Sequence, residues 1–180
     1  MPALRNVEIK AKCPDPGAVR NKLDEAGATY VGLDQQRDTY FRAPGGRLKL
    51  REGTIENSLI AYRRGDKVGP KLSTVALYKG EKMADLRGVL LAALPLDVIV
   101  EKSRHIYYLD DAKIHVDSVP TLGHFVEIEV IDADGDRDTA ELDQRCRQLM
   151  ALLGVKSDHL VSASYSDLLR STGTRPAWHF

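Results

Sequence analysis

Charged side chains recur at every second position in three short stretches of this sequence. Three cations alternate with leucines in residues 47–51 (RLKLR), and two carboxylates alternate with apolar residues in 125–130 (FVEIEV). A third stretch, residues 7–12 (VEIKAK), combines one carboxylate with two lysines. Converging Lys and Arg side chains suit a phosphate chain, and neighbouring carboxylates are compatible with it when a divalent cation lies between them. These are the groups that phosphoryl or nucleotidyl transfer requires.

The same alternation predicts β-strands with two different faces. Side chains of a strand point alternately to opposite sides, so the charges share one face and the aliphatic residues share the other. We predict further strands over residues 30–42, 59–64, 71–78, 98–109 and 113–119. Short turn signals such as Pro44-Gly45-Gly46 separate consecutive strands, which makes the sheet mainly antiparallel.

Four segments carry the apolar spacing or the end signals of helices, at about residues 16–26, 83–94, 139–153 and 165–169. Asp15 can cap the first, and Pro16 suits its first turn. Each helix must bury an apolar stripe, most simply against the aliphatic faces of the strands. The predicted fold is an α+β domain over residues 1–170, with an irregular tail over 171–180. It is a closed, mainly antiparallel eight-stranded β-barrel, or tunnel, with helices packed on the outside.

The ionic faces of the predicted strands form one set of candidate residues. An open sheet with one solvated side is the simpler explanation for any single strand, since its charges would pair across strands. The sign of the charge is sorted by strand, however, which favours faces turned inward toward a ligand. The set consists of Glu8, Lys10, Lys12, Arg47, Lys49, Arg51, Arg64, Lys102, Arg104, Lys113, Asp117, Glu127 and Glu129.

The composition narrows the class of protein. Lys+Arg and Asp+Glu both number 26, and this zero net charge argues against broad attraction to nucleic acid or to a membrane surface. No run reaches the roughly 20 apolar residues of a membrane span. The first ten residues lack the apolar region of a secretion signal, and the two cysteines lack metal-ligand spacing, so we expect a cytoplasmic protein. Monomer and homodimer both remain open.

A series of short motifs resembles the CYTH family, the triphosphate tunnel metalloenzymes. That family opens with Glu-x-Glu-x-Lys; here Glu8 and Lys10 match, and Asn6 stands in place of the first Glu. The resemblance covers about residues 6–169, and its most specific part is Asp117 followed by Gly-x-Phe-x-Glu-x-Glu. The other matching motifs are DTYF (38–41), LKLR (48–51), YRR (62–64), EKSR (101–104), HVD (115–117) and LGHFVEIE (122–129).

The resemblance implies roles for individual residues. Metal ligands for Mg²⁺ or Mn²⁺ would be Glu8, Asp117, Glu127 and Glu129. Substrate-binding cations would be Lys10, Lys12, Lys49, Arg51, Arg64, Lys71, Lys102 and Arg104. Catalytic roles would fall to Glu8, Lys10, Arg104 and Glu127. Asn6 is a poorer metal ligand than a carboxylate, which leaves a second metal position open.

Three functions fit this set of residues. The leading reaction is that of class IV adenylyl cyclases, in which the ribose 3′ oxygen of ATP attacks the α-phosphorus and pyrophosphate leaves. The second is hydrolysis of thiamine triphosphate, tripolyphosphate or a nucleoside triphosphate. The third, motivated by Asn6, is a sensor that binds a triphosphate without turnover. In each case the partner is a small-molecule triphosphate.

Several residues keep two interpretations. Lys12, Arg47 and Lys113 are either tunnel cations or rim charges. Tyr40 and Tyr62 either stack on a base or pack inside the barrel. A lone His on a strand is more often structural than catalytic, which is the interpretation we favour for His115, and Cys146 is predicted to lie in the core.

Overall fold

The computed structural model describes residues 4–64 and 68–173, apart from the side chains of Leu4 and Arg64. Its strands are β1 (Leu4–Lys12), β2 (Thr29–Ala43), β3 (Gly46–Gly53), β4 (Ser58–Arg64), β5 (Lys71–Lys79), β6 (Leu96–Leu109), β7 (Ala112–Val119) and β8 (Gly123–Asp132). Its helices are α1 (Pro16–Glu25), α2 (Met83–Ala93), α3 (Thr139–Leu153) and α4 (Tyr165–Ser171), with a 3-10 turn at Ser157–His159.

The strands close into a barrel in the order β1-β5-β4-β3-β2-β6-β7-β8, and β8 pairs with β1. Every neighbouring pair in this ring is antiparallel. The register sets Glu8 opposite Glu129 and Lys10 opposite Glu127 across β1 and β8. Because side chains alternate along a strand, this register places all four on the inner side.

Helices α1 and α3 cover the outer faces of β1, β7 and β8. Ile9, Ile114 and Ile128 are at most 2% exposed and pack in one cluster with Leu23 of α1 and Leu149 of α3. Helix α2 covers β3 in the same way. The predicted aliphatic faces therefore form the core between barrel and helices, which turns the ionic faces inward.

The helix ends follow from local capping. The Oδ1 atom of Asp15 accepts a hydrogen bond from the Ala18 amide at 2.9 Å at the start of α1. Ser164 and Asp167 form a reciprocal capping box at the start of α4. Gly154, with a φ of 70°, ends α3 in the left-handed conformation that glycine adopts at low cost.

Helix α4 differs from the other three because it closes one end of the barrel. Tyr165 and Leu169 pack against residues on the inner faces of four strands, namely Tyr40, Val98, Val100, Val119 and Phe125. The segment before α4 is tied to β1, since the Val161 amide donates to the Lys10 carbonyl oxygen at 2.8 Å. We name this the α4 end, and the opposite end, where the β3–β4 and β5–α2 loops lie, the mouth.

The α+β class, the eight strands and the closed antiparallel barrel are confirmed for the described residues. Cys146 is fully buried in the core, as predicted. The predicted tail begins inside α4, which extends to Ser171, and its residues 174–180 lie outside the described part. Among the described residues, no helix has the length and apolarity needed to cross a membrane.

Candidate active site in the barrel interior

The inward-facing charges meet in a cavity of about 810 Å³ inside the barrel. Glu56, from the β3–β4 turn, and Tyr165, at the start of α4, complete the wall formed by the strands. Seven strands supply its charged side chains and one imidazole, which are Glu8, Lys10, Asp38, Lys49, Arg51, Lys79, Lys102, Arg104, Lys113, His115, Glu127 and Glu129.

One side of the cavity holds a cationic cluster, which we define as Asp38, Lys49, Arg51 and Lys102. Arg51 donates from Nε and Nη2 to the two Asp38 carboxylate oxygens, at 2.9 and 3.0 Å. Lys102 Nζ donates to Asp38 Oδ2 at 2.6 Å, and Lys49 Nζ to the same oxygen at 3.4 Å. Three cations thus share one carboxylate, and the cluster has an excess of positive charge.

This excess charge changes the pKa values within the cluster. Burial alone would raise the pKa of the Asp38 carboxyl, but Arg51 and Lys102 hold it well below its usual value. Burial lowers the pKa of Lys102 to about 7; Asp38 opposes that change, while Arg51 and Arg104 add to it. A bound polyanion would relieve the repulsion among these cations, so the cluster is suited to phosphate.

Arg104 is fixed in the wall between the cavity and the α4 end. It donates from Nε and Nη2 to the Asp117 carboxylate, at 2.7 and 2.6 Å, and from Nη2 to Glu127 Oε2 at 2.5 Å. The Tyr165 hydroxyl donates to Asp117 Oδ2 at 2.7 Å, and Lys10 Nζ lies 3.2 Å from Glu127 Oε1. Helix α4 therefore helps to orient the guanidinium group of Arg104.

The other side of the cavity holds an acidic cluster, which we define as Glu8, His115, Glu127 and Glu129. Ligand atoms of His115, Glu127 and Glu129 all lie within 4.8 Å of one another. Nδ1 of His115 lies 3.5 Å from Glu127 Oε2 and 3.7 Å from Glu129 Oε1, yet neither ring nitrogen makes a hydrogen bond of good geometry to the described residues.

Two features of the acidic cluster fit a divalent cation. Burial raises the pKa of Glu129 to about 7, and the facing Glu8 carboxylate adds to the increase. The imidazole of His115 is buried with a pKa lowered to about 4, mainly by burial and then by Arg104, so it is neutral at pH 7 and can coordinate a metal. Glu8, Glu127 and Glu129, with His115, are the residues that would hold such an ion.

Glu56 bridges the cationic cluster and β7 near the mouth. Its carboxylate accepts from Arg51 Nη1 at 2.9 Å and forms a close ion pair with Lys113. The turn that carries Glu56 is fixed by Asp34, whose buried carboxylate accepts from the backbone amides of Ile55 and Glu56 at 2.8 and 3.0 Å. Glu56 thus competes with any bound anion for two of the cations in the cavity.

Comparison with known proteins bears directly on this arrangement. A family model described as the CYTH domain matches residues 4–165. The chain belongs to the CYTH domain family. The family and the closed barrel that the sequence motifs predicted are therefore confirmed.

Relatives with known names or structures agree with this assignment. A protein of Methanocaldococcus jannaschii named as a candidate adenylate cyclase is 26% identical over 176 residues, which cover 90% of this chain and 97% of that protein. A Pyrococcus horikoshii protein shares the fold with a TM-score of 0.75 at 19% identity, over 91% of this chain and 98% of that one. So does a Hippeastrum protein, a candidate adenylyl cyclase described as having a dominant triphosphatase activity. Its TM-score is 0.61 at 15% identity, over 97% of this chain and 100% of that one.

Most of the site residues predicted from the sequence line the CYTH cavity together. They are Glu8, Lys10, Lys49, Arg51, Lys102, Arg104, Glu127 and Glu129. Lys12 is exposed at the end of β1 and does not line the cavity, and Arg64 has its side chain outside the described part. Lys71 is 2% exposed and donates to the Ser162 carbonyl oxygen at 2.6 Å. Asp117 lies behind Arg104, so its contacts fit a positioning role.

The structure adds three residues that the sequence did not assign to the site. Asp38 organises the cationic cluster, and the sequence marked it only as the first residue of the DTYF motif. Glu56 lies in a turn, where no periodic pattern marks a side chain that reaches the cavity. His115 was interpreted as structural, and its distances to Glu127 and Glu129 make it a candidate metal ligand.

Proposed function

We propose that this CYTH protein is a divalent-metal-dependent enzyme that binds an organic triphosphate in the barrel and cleaves a phosphoanhydride bond. One observation carries the proposal: a cluster with excess positive charge and a carboxylate–imidazole cluster lie in the same cavity. The first suits the phosphate chain, and the second suits the cation that accompanies it. The charges within each cluster do not cancel. A metal–triphosphate complex would bring negative charge to the cationic cluster and positive charge to the acidic cluster.

The cations of the cavity have separate tasks in this proposal. Arg51 and Lys102 bind phosphate oxygens in place of part of their contact with Asp38. Arg104 is held by Asp117, so its position changes little when negative charge develops on the leaving group, and such preorganised donors stabilise the transition state strongly. Lys10 lies against Glu127 and the Tyr165 ring, with its Nζ 3.6 Å from the ring centroid, which restricts the direction of its ammonium group.

The carboxylates and the imidazole have the second set of tasks. Glu8, Glu127 and Glu129 would hold the metal, and His115 would add a nitrogen ligand. When bound, a divalent cation of this kind lowers the pKa of an attacking oxygen and neutralises phosphate charge. Asn6 also lines the cavity. Because its side chain is a neutral amide, the acidic cluster has three carboxylates, those of Glu8, Glu127 and Glu129.

The reaction that we propose first is the adenylyl cyclase type. The 3′ oxygen forms a bond to the α-phosphorus, the bond from that phosphorus to the bridging oxygen breaks, and pyrophosphate leaves with the electron pair. Support comes from the name of the Methanocaldococcus jannaschii relative and from its coverage of nearly the whole chain. The cationic cluster would hold the leaving pyrophosphate.

Hydrolysis of the terminal phosphate is the second candidate. The side chains of Glu127 and Glu129 are 16% and 23% exposed, so water can reach the acidic cluster from the cavity. The same residues would then orient a water molecule toward the γ-phosphorus. The description of the Hippeastrum protein gives this alternative further support.

Product analysis tests the proposal. The protein is incubated separately with ATP, thiamine triphosphate and tripolyphosphate, each with Mg²⁺ or Mn²⁺, and the products are resolved by chromatography. Cyclic AMP with pyrophosphate supports the cyclase, and a diphosphate product with orthophosphate supports the hydrolase. Glu127→Gln is expected to reduce turnover by at least about a hundredfold, because it removes a metal ligand and a partner of Lys10 and Arg104.

The exposed Lys12 provides the matched control. Lys12→Ala is expected to leave turnover unchanged within about twofold, since surface charges away from a site contribute little. Binding of a triphosphate without any product, unaltered by Glu127→Gln, would contradict the enzyme and favour the sensor. Absence of binding by all three compounds would contradict the whole proposal.

A further inference from the structure

We propose that β4 and β5 form a neutral wall that seats the organic group of the substrate, so that the protein prefers organic triphosphates to inorganic tripolyphosphate. This inference rests on the proposed function and specifies its substrate class. The neutral wall is defined as the inward-facing residues Ser58, Ile60, Tyr62, Ser73, Val75 and Leu77, all of which line the cavity.

The neutral wall is continuous across two neighbouring strands. Ile60 of β4 pairs with Leu77 of β5, and Tyr62 pairs with Val75. Ile131 of β8 extends the apolar surface, since it lines the same cavity near Asn6. The wall itself carries no ionised side chain, and Lys79, the next inward-facing residue of β5 after Leu77, lines the cavity at the mouth. The other six strands each contribute at least one ionised side chain to the cavity.

These apolar side chains do not pack in the hydrophobic clusters of the protein. Val75, Leu77 and Ile60 belong to none of the three hydrophobic clusters formed by the described residues. Leu77 remains 38% exposed although it lines the cavity. Apolar side chains that line a polar cavity are a feature of ligand sites. In such sites apolar groups bind the body of the ligand, and a few polar groups fix its orientation.

Tyr62 marks the boundary between the neutral wall and the cationic cluster. Lys49 Nζ lies 5.7 Å from the centroid of the Tyr62 ring and 5.7 Å from that of Tyr40. A ligand with its phosphates on Lys49 therefore has its adjacent organic group beside Tyr62, where aromatic and aliphatic surface begins. A flat ring is the kind of group that such a surface accepts.

The direction of β5 orients the ligand in the barrel. Lys71, at the start of β5, contacts the segment before α4, whereas Leu77 lies two residues before Lys79, at the mouth. The neutral wall therefore extends from the middle of the cavity toward the mouth. The cations of β3 lie beside this wall, since Lys49 pairs with Ile60 and Arg51 pairs with Ser58. A phosphate chain bound to the cations therefore leaves the attached organic group next to the wall.

The size of the cavity agrees with a ligand larger than three phosphates. Its volume of about 810 Å³ lies in the upper part of the range of roughly 300–1,000 Å³ for pockets that enclose drug-sized ligands. An inorganic chain bound to the cations would leave the neutral wall in contact with water. An organic triphosphate would bury that surface and gain affinity from it.

The test compares affinities for ATP, thiamine triphosphate and tripolyphosphate by titration calorimetry, with Ca²⁺ in place of Mg²⁺ and the products checked for turnover. We expect the wild type to bind at least one organic triphosphate about tenfold or more tightly than tripolyphosphate. The double variant Val75→Ser/Leu77→Ser is expected to lose most of that preference while its affinity for tripolyphosphate stays within about twofold.

Two further variants guard against a general loss of folding. Leu72→Ser alters a residue of the same strand that is 42% exposed and faces outward, and it is expected to keep the preference. Leu77→Met retains an apolar side chain and is expected to keep it as well.

Each outcome decides between the inference and the proposed function. Equal affinity of the wild type for organic and inorganic triphosphates would overturn the inference while the proposed function stands. So would an equal loss of both affinities in the folded double variant. If no triphosphate binds to the wild type, the proposed function fails and the inference fails with it.

Discussion

The cationic cluster and the acidic cluster lie in one barrel and carry opposite imbalances of charge. In the first, Lys49, Arg51 and Lys102 share the single carboxylate of Asp38. In the second, the carboxylates of Glu8 and Glu129 face each other across paired strands. Each cluster contains a group whose ionised form is disfavoured: the pKa of Lys102 is lowered to about 7, and that of Glu129 is raised to about 7.

This difference shows how the barrel is adapted to a ligand with two charged parts. A protein selected only for stability would have intermixed these side chains and neutralised both clusters, because unpaired buried charge destabilises the folded state. Their separation leaves one side suited to an anion and the other to a cation. Substitutions in one cluster at a time, followed by measurement of kinetics, stability or metal affinity, test whether the two clusters act separately.

The largest effect is expected from the cationic cluster. Arg51→Ala should lower kcat/KM for the triphosphate substrate by about a hundredfold to a thousandfold, because it removes the guanidinium group that we propose binds phosphate oxygens. Arg51→Lys keeps the positive charge but lacks the planar guanidinium group, so its kcat/KM should lie between the values for Arg51→Ala and the wild type. Steady-state kinetics provide the measurement.

The control for Arg51 is a cation on the same sheet that faces away from the cavity. Arg37 of β2 is exposed, and Arg37→Ala should leave kcat/KM within about twofold. Mn²⁺ affinity measured without substrate should also change little in Arg51→Ala, since Arg51 contacts no member of the acidic cluster in the hydrogen bonds and ion pairs described. A large loss of Mn²⁺ affinity would show that the two clusters are not separate.

An intermediate effect is expected from pH in the absence of ligand. The pKa of Lys102 is lowered in the folded protein, so between about 7 and its unfolded value near 10.5 the unfolded state binds more protons. Stability contributed by this group therefore increases as pH rises through that window. From pH 7 to pH 9 the gain should be about 2 kcal/mol.

The contribution of Lys102 is obtained by comparing the free energy of unfolding of the wild type with that of Lys102→Met at each pH. Chemical denaturation at several pH values should show the increase in the wild type and lack it in the variant, whose side chain does not titrate. Saturation with tripolyphosphate should remove the dependence, because the bound anion favours the protonated amine. A parallel pH dependence in both proteins would assign the effect to other groups.

The smallest effect is expected from His115 in the acidic cluster. His115→Phe should weaken Mn²⁺ binding about tenfold and leave Mg²⁺ binding nearly unchanged, because imidazole nitrogen is a good ligand for transition metals and a poor one for Mg²⁺. Calorimetric titration of the metal alone measures this without reference to activity. His105→Phe, on the outward face of β6, is the matched control. If His115→Phe changed the affinities for Mn²⁺ and Mg²⁺ by the same factor, His115 would not be a metal ligand.

The fold and much of the site were predictable because alternation along a strand is a local property. Glu127 and Glu129 share a face whatever the rest of the chain does, and the apolar stripes of α1 and α3 then determine which face is outside. The closed barrel follows from these faces together with the short turns. The position of Lys49 and Arg51 in one cavity with the carboxylates follows in turn.

The remainder depended on contacts that no local pattern records. Asp117 has the alternation of a cavity residue, but Arg104 and Tyr165 occupy its oxygens. Lys71 likewise donates to a carbonyl group of the segment before α4. Both contacts lie at the α4 end. The sequence predicts the helix α4 but does not predict that this helix closes one end of the barrel.

The closure of one end of the barrel by α4 has a kinetic consequence. A cavity that is closed at one end and open at the mouth makes entry and exit share one passage, so whatever is bound deepest must leave last. For the reaction proposed above, a product held at the mouth would have to leave before one held deeper. Release of the two products would then be ordered, and the product that leaves last would compete with the incoming triphosphate for the empty cavity.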